Sequence, residues 1–182
     1  FTKVPVDRMK EIAESMQPGS SMEAKVDGAS SLVELLDHGI EITSYRVSKE
    51  TGRPIIHTER VFGGDRPDVK IPKNLVGTVL RGELYGVREG KPIPPQSLGA
   101  LLNARIAASL GAQQRTGTKL RNMLYDVQQL GREPVDLSQV PRAKRREWLK
   151  KVLPHLPQDV FHVSEAVETP EEALALLEQI GK

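Results

Sequence analysis

The chain has 182 residues, 38% of them hydrophobic and 27% charged, with a net charge of +2 and no cysteine. That length suits one cored domain and that balance an ordinary soluble globular protein, while the missing cysteines exclude a disulfide framework, a thiol nucleophile and a cysteine-ligated zinc site. No apolar run approaches the ~18–20 residues that span a bilayer, and Phe1-Thr2-Lys3-Val4-Pro5 has neither the apolar core nor the cleavage site of an export signal, so an intracellular protein, cytoplasmic or nucleoid-associated, with no membrane contact is expected.

Residues 7–16 predict a short amphipathic helix, with Met9, Ile12, Ala13 and Met16 at helical spacing, ended by Gln17-Pro18-Gly19-Ser20. Short apolar or alternating runs at 22–26, 31–36, 40–47, 54–57, 77–85 and 121–127 predict strands. Most of these are antiparallel, because several links are too short for crossover helices. Asp37-His38-Gly39 joins two of them as a hairpin connection. Segments 63–76 and 86–97, rich in Gly, Pro and charge, predict exposed loops. Residues 96–111 carry Leu98, Leu101, Leu102, Ile106 and Leu110 and predict one helix packed on the sheet.

Residues 141–152 open with Pro141 and carry Trp148, Leu149 and Val152 on one side. Elsewhere on this helix Arg142, Lys144, Arg145, Arg146, Lys150 and Lys151 form a basic cluster, which is either a solvated face or a phosphate-contacting one. In the last helix Thr169 is the N-cap, Pro170 the first helical residue, and Glu172 closes a capping box. Ala173, Leu174, Leu176, Leu177 and Ile180 supply its apolar face and Gly181 ends it. The pattern as a whole predicts an α+β fold of antiparallel sheets flanked by helices.

The chemistry-bearing stretch is Glu23-Ala24-Lys25-Val26-Asp27-Gly28, at the end of the first predicted strand. Alone it reads more readily as a strand-to-turn passage. Three later segments follow in order: Thr43-Ser44-Tyr45-Arg46, Leu80-Arg81-Gly82-Glu83-Leu84-Tyr85-Gly86, and Arg121-Asn122-Met123-Leu124-Tyr125-Asp126-Val127. Together, over roughly residues 20 to 180, the four resemble motifs I, Ia, III and IIIa of the covalent nucleotidyltransferases, the superfamily of DNA ligases, RNA ligases and mRNA capping enzymes. That resemblance implies a DNA ligase/mRNA capping enzyme nucleotidyltransferase-like fold.

The resemblance also implies roles. Lys25 becomes the adenylated nucleophile, Glu23 lies against the adenine edge, and Arg46 contacts ribose or phosphate. Glu83 accepts hydrogen bonds from ribose hydroxyls, and Tyr125 stacks on adenine. A lysine amine must be uncharged to attack phosphorus, and its ordinary pKa of ~10.4 leaves little free amine at neutral pH. Burial on a strand, nearby cations or a bound metal would lower it. Gly28 would let backbone approach the nucleotide, and Asp27 would orient the turn. Tyr125 has an alternative as a core aromatic; Glu83 has less of one, because an unpaired buried carboxylate is costly. Three positions depart from the DNA-ligase pattern: Ser30 stands where an arginine is usual, the Ser-Arg pair is spread to Ser44-Tyr45-Arg46, and Tyr125 replaces Phe.

Within the superfamily, Val47-Ser48-Lys49-Glu50-Thr51-Gly52 through His57-Thr58-Glu59-Arg60 looks more like DNA ligases. The expectation is therefore a monomeric ATP-dependent DNA ligase that uses ATP and Mg2+ and acts on nicked double-stranded DNA. RNA ligase, an NAD-dependent DNA ligase (which Leu102 to Leu110 resembles faintly) and a non-catalytic nucleic-acid-binding module are the alternatives. Residues 1–182 are expected to form a single, partial adenylation domain. The later metal-binding Glu-Gly strand, the Lys-x-Lys strand and the oligonucleotide-binding barrel are not identifiable in it.

Overall fold

Two-residue periodicity dominates the middle of the chain, and the computed structural model turns it into one large sheet. The structure describes residues 5–64, 67–134, 136, 139–164 and 166–180. Gly181, expected to end the last helix, lies outside them, as does the side chain of Ile180.

A single 3-10 turn leads into α1 (Met9–Glu14), and β1 follows (Met22–Glu23). The paired strands β2 (Ala29–Leu36) and β3 (Gly39–Val47) meet at the expected Asp37-His38 turn. Then come β4 (Pro54–Ile56), α2 (Thr58–Val61), β5 (Val79–Arg88), β6 (Lys91–Pro92), α3 (Pro95–Asn103), α4 (Ile106–Thr116), β7 (Lys119–Leu130) and β8 (Glu133–Pro134). The chain closes with α5 (Arg142–Val152), β9 (Phe161–Val163), β10 (Ala166–Val167) and α6 (Pro170–Ile180). The fold is α+β and antiparallel-dominated, as expected. No helix among the described residues is long and apolar enough to cross a membrane.

The chain divides into two compact units, Phe1–Lys25 with Ser164–Lys182, and Val26–Val163. In the first, β1 pairs antiparallel with β10, Ser164 Oγ donates to the Ala24 carbonyl at 3.2 Å, and Ala13 and Ala173 are fully buried. The Glu172 N–H donates to Thr169 Oγ1, and the Glu172 carboxylate reaches back to the Glu168 N–H, both at 3.2 Å. This is the capping box read from sequence, with its return arm shifted by one residue.

The second unit holds the eight-stranded sheet, in the order β4-β3-β2-β5-β7-β8, with β6 on β5 and β9 parallel to β7. On one face Val33, Leu35, Ile42, Leu80, Leu124 and Val127 pack with Leu149 and Val152 of α5 and with Phe161. A second cluster joins Leu84 and Leu120 to Leu98, Leu101 and Leu102 of α3. The alternation is visible in β2, where Ser31, Val33 and Leu35 are buried while Ser30 and Glu34 are exposed.

Several boundaries differ from expectation. The strand expected over 22–26 has only Met22–Glu23, because its partner β10 offers two residues; Lys25 lies beyond it in irregular backbone and is exposed. The strand expected over 77–85 starts at Val79, since Gly77 turns with φ +88°, and it runs on to Arg88. The loop expected over 86–97 is instead a hairpin arm and a helix start. Glu89 and Gly90, both with positive φ, make the tight turn into β6, and Pro95 opens α3.

The single helix expected over 96–111 is two. Ala104 and Arg105 are extended, and the Ala104 carbonyl freed at the break accepts from Arg60 Nε at 3.2 Å and Nη2 at 2.7 Å. Gln113 of α4 donates back to the Arg60 carbonyl. The expected helix over 7–16 is regular only at Met9–Glu14, and the strand expected over 121–127 extends to both sides in β7. The elements α2, β9 and β10 had no sequence expectation, being too short to show a period.

Candidate functional site

The sheet face opposite the core carries the polar residues of β5 and β7. Glu83 is 5% exposed. Its Oε1 accepts from the Gly28 N–H and its Oε2 from the Ser30 hydroxyl, both at 3.3 Å. Ser30 stands directly opposite Glu83 in the β2–β5 register. The segment after Lys25 and the Gly-Glu strand are therefore joined through one carboxylate.

This geometry revises the role expected of Gly28. A Cβ there would lie 2.4 Å from the Leu84 carbonyl oxygen and 3.0 Å from Glu83 Cγ. The glycine is required by the close approach of β5 backbone, whatever it does toward a nucleotide. Ser30 likewise acquires a local role, since its small hydroxyl fits opposite Glu83 and donates to it.

Gly82 is a second packing glycine. A Cβ on it would meet Asn122 Oδ1 at 2.0 Å. Asn122 is fully buried, donates through Nδ2 to Ser31 Oγ at 2.8 Å, and donates its backbone N–H to the Val160 carbonyl at 2.9 Å.

Two residues before Glu83 on the same face, the Arg81 guanidinium lies 4.6 Å from the Tyr45 ring centroid and 5.8 Å from that of Tyr125. Arg81 Nε is buried and has no hydrogen-bond partner. Tyr125 is half-buried, so it is not a sealed core aromatic; it belongs to a Tyr–Arg–Tyr arrangement that desolvation strengthens. The neighbouring Asp126 faces α5, where Arg145 binds it through Nε to Oδ1 at 2.6 Å and Nη2 to Oδ2 at 3.2 Å. Arg145 Nη1 also donates to the Val140 carbonyl at 2.6 Å. One member of the basic cluster is thus an anchor with 13% of its side chain exposed, while Lys150 and Lys151 are exposed.

The remaining expected residues lie as follows. Arg46 is exposed near the end of β3, where Ser44 Oγ donates to its carbonyl at 2.6 Å and accepts from the Ile55 N–H at 2.8 Å. Glu23 is half-buried on β1 opposite Ala166, and Lys25 is exposed. Burial on a strand, expected as one source of the amine's activation, is not found. Structure brings Glu83, Gly28 and Ser30 together and sets Tyr125 beside Arg81. Glu23 and Lys25 belong to the first unit and the other expected residues to the second.

Sequence reasoning missed Arg81, the Asp126–Arg145 pair and two histidines. His57 is 4% exposed, and burial, with Arg60 second, pushes its pKa down to about 4. His162 shares a 3.1 Å hydrogen bond with the Tyr85 hydroxyl, and burial followed by Arg121 lowers its pKa. Neither had a motif, and His162 sits on a three-residue strand that no periodicity reveals. Among the described residues no group of three or more His, Asp or Glu could hold a metal ion.

The family described as ATP dependent DNA ligase domain matches residues 3–182. Comparison with curated proteins gives no match. Among solved structures, a mycobacterial DNA ligase D complexed with ATP and MES aligns with a TM-score of 0.56 at 16% identity, covering 90% of this chain and 46% of that one. The ligase domain of M. tuberculosis LigD aligns at 0.55 and 16% identity, covering 88% and 44%. The chain thus spans less than half the length of either structure, and at such identity the likeness is one of fold. The match over 3–182 nevertheless shows the family: this chain belongs to the ATP-dependent DNA ligase domain family.

Proposed function

We propose that this chain is part of the adenylation domain of an ATP-dependent DNA ligase, a monomeric intracellular enzyme whose polynucleotide substrate is nicked double-stranded DNA. Family membership supports the reaction class. The observation that carries the site assignment is the buried Glu83 carboxylate, bonded to the backbone and hydroxyl that follow the Lys25 segment.

In this reading the uncharged Lys25 amine attacks the α-phosphorus of ATP. A phosphorus–nitrogen bond forms, the bond to the bridging oxygen breaks, pyrophosphate leaves with that electron pair, and the amine's surplus proton goes to solvent. AMP then passes to a DNA 5′-phosphate, and the adjoining 3′-hydroxyl displaces it. Glu83 accepts hydrogen bonds from the ribose hydroxyls, where an ionised carboxylate is a strong acceptor. Tyr125 presents its ring to adenine, Glu23 its carboxylate to the adenine edge, and Arg46 its fork to ribose or phosphate. Magnesium enters as part of the substrate, held by the ATP phosphates.

Incubation with α-labelled ATP and magnesium tests the assignment. The expected product is a label on the protein that survives base, is released by acid, and is absent in Lys25→Ala. Glu83→Gln should lower the labelling rate by about tenfold or more, the worth of a charge-assisted hydrogen bond. Labelling that persists in Lys25→Ala, or that follows NAD instead of ATP, would overturn it. Sealing of nicked DNA against nicked RNA by the natural full-length protein tests the polynucleotide.

A further inference from the structure

Past Glu83 the polar face opens into a cleft of about 400 Å³, with Val26, Tyr85, Glu89, Lys119 and Arg121 among its lining residues. Val26 is the residue after Lys25. Lys119 and Arg121 alternate along β7 and so point to one side, and the β5–β7 register sets Arg121 opposite Tyr85 and Lys119 opposite Val87. Lys119 is exposed, and Arg121 is half-buried. Arg121 Nε is buried and makes no hydrogen bond.

The groups around Arg121 orient it without cancelling its charge. Burial raises the Tyr85 phenol above its ordinary pKa, and the adjacent Arg121 opposes that rise, so the phenol stays protonated near neutral pH. The Tyr85 hydroxyl bonds to His162 Nε2 at 3.1 Å, their rings meeting edge-on at 5.6 Å between centroids. Burial and Arg121 keep that imidazole neutral. Glu89, at the tip of the β5–β6 turn, is the acid of the lining, set against two cations. β2 brings no cation to this face, since Ser30 is engaged with Glu83 and Leu32 stands opposite Arg81.

We propose that this cleft is an anion subsite that takes a phosphate group, with the Arg121 fork as its principal contact and Lys119 as the second cation. A planar guanidinium offers paired donors to phosphate oxygens, and lysine adds a point charge. The choice of ligand rests on the ligase reading. Two sources share the chemistry, the pyrophosphate end of the nucleotide and the 5′-phosphate of nicked DNA.

The test uses the Lys25→Ala protein, which cannot form the adduct, so that binding is read apart from chemistry. Calorimetry measures inorganic pyrophosphate, and fluorescence anisotropy compares nicked duplexes bearing a 5′-phosphate or a 5′-hydroxyl. In this background Arg121→Gln should weaken one of these about tenfold, Lys119→Gln by less, and Arg121→Lys should recover part of the loss. Weakened pyrophosphate binding assigns the cleft to the nucleotide. Loss of the preference for a 5′-phosphate nick assigns it to DNA. If neither probe responds to either substitution while the circular dichroism and melting temperature stay unchanged, the proposal is wrong. Should Arg121→Gln fail to fold, the exposed Lys119→Gln decides alone. Arg121-dependent pyrophosphate binding in a protein that never gains AMP at Lys25 would sink the ligase reading and leave the subsite; the reverse pattern would sink the subsite only.

Discussion

The two faces of the eight-stranded sheet are made by the same strands and do opposite work. On β7, Leu124 is fully buried in the core that α5 covers, while Tyr125 is half-buried beside Arg81. On β5, Leu80 and Leu84 point into apolar clusters, and Arg81, Glu83 and Tyr85 point the other way. The lesson is that a two-residue period writes two messages along one strand. One is read by packing and tolerates volume-conserving change. The other sets single donors and acceptors on the opposite face, where the proposed ligand contacts lie.

Truncating two adjacent residues of β7 separates the two faces. Leu124→Ala should cost about 2–5 kcal/mol of stability, the range for a cavity in a sealed core, seen as a lower urea midpoint with an unchanged slope. Tyr125→Ala should lose only about 0.5–1 kcal/mol from its contact with Arg81 and instead raise the KM for ATP about tenfold, since ring-on-base stacking is worth ~1–3 kcal/mol. If Tyr125→Ala destabilises as much as Leu124→Ala and leaves KM untouched, the polar face is structural.

His57 gives the second test, at a junction between strand and helix. Its backbone N–H donates to the Ile42 carbonyl, and its neighbour Thr58 accepts the Ile42 N–H. The folded state holds the ring neutral down to about pH 4, whereas the unfolded ring takes its proton near 6.5. Between those values the unfolded chain binds more protons, so stability is constant above about pH 6.5, falls as pH drops, and levels off below about 4. The total loss is about 3 kcal/mol. Urea midpoints measured from pH 7.5 to 4 should follow that course and flatten in His57→Gln over the same window. A His57→Gln profile as steep as the parent's would assign the loss to carboxylates.

How much of this was legible depends on period and on partner. β2 and β3 were read correctly within two residues because eight or nine residues of alternation and a tight turn leave one solution. The capping box of α6 is equally local. The broken helix was not legible, because Leu98 to Leu110 keep helical spacing across the break and the residue that stabilises it, Arg60, is 44 positions away from Ala104. Lys25, Glu83 and Tyr125 were singled out by motif order alone, which says nothing of burial: Glu83 is buried and Lys25 is exposed. Arg81 and Arg145 look in sequence like any surface arginine, and only the register of β5 and the docking of α5 give them partners.

The Asp126–Arg145 pair lies where core and charge meet. Arg145→Met leaves a carboxylate with 16% of its side chain exposed and no guanidinium. We expect a loss of about 2 kcal/mol, below the ~3–5 of a fully buried pair because water still reaches it. Asp126→Asn combined with Arg145→Met should recover part of that loss, and a double-mutant cycle with no coupling would show the two-point contact to be incidental.

The smallest stability effect belongs to the outer side of α5, and it settles the alternative the sequence left open for the basic cluster. Leu149 and Val152 are buried, Arg145 is fixed on Asp126 and Lys144 pairs with Glu147 at 2.9 Å, while Lys150 and Lys151 are exposed in the last turn. Changing both lysines to Ala should move stability by less than about 1 kcal/mol, the scale of helix-end charge effects. If they touch phosphate, the slope of log affinity for nicked DNA against log salt should drop by about 2, close to one per contact removed. A slope equal to that of the parent protein would make them a solvated face, and Lys119 and Arg121 on the polar face of the sheet can be tested in the same titration.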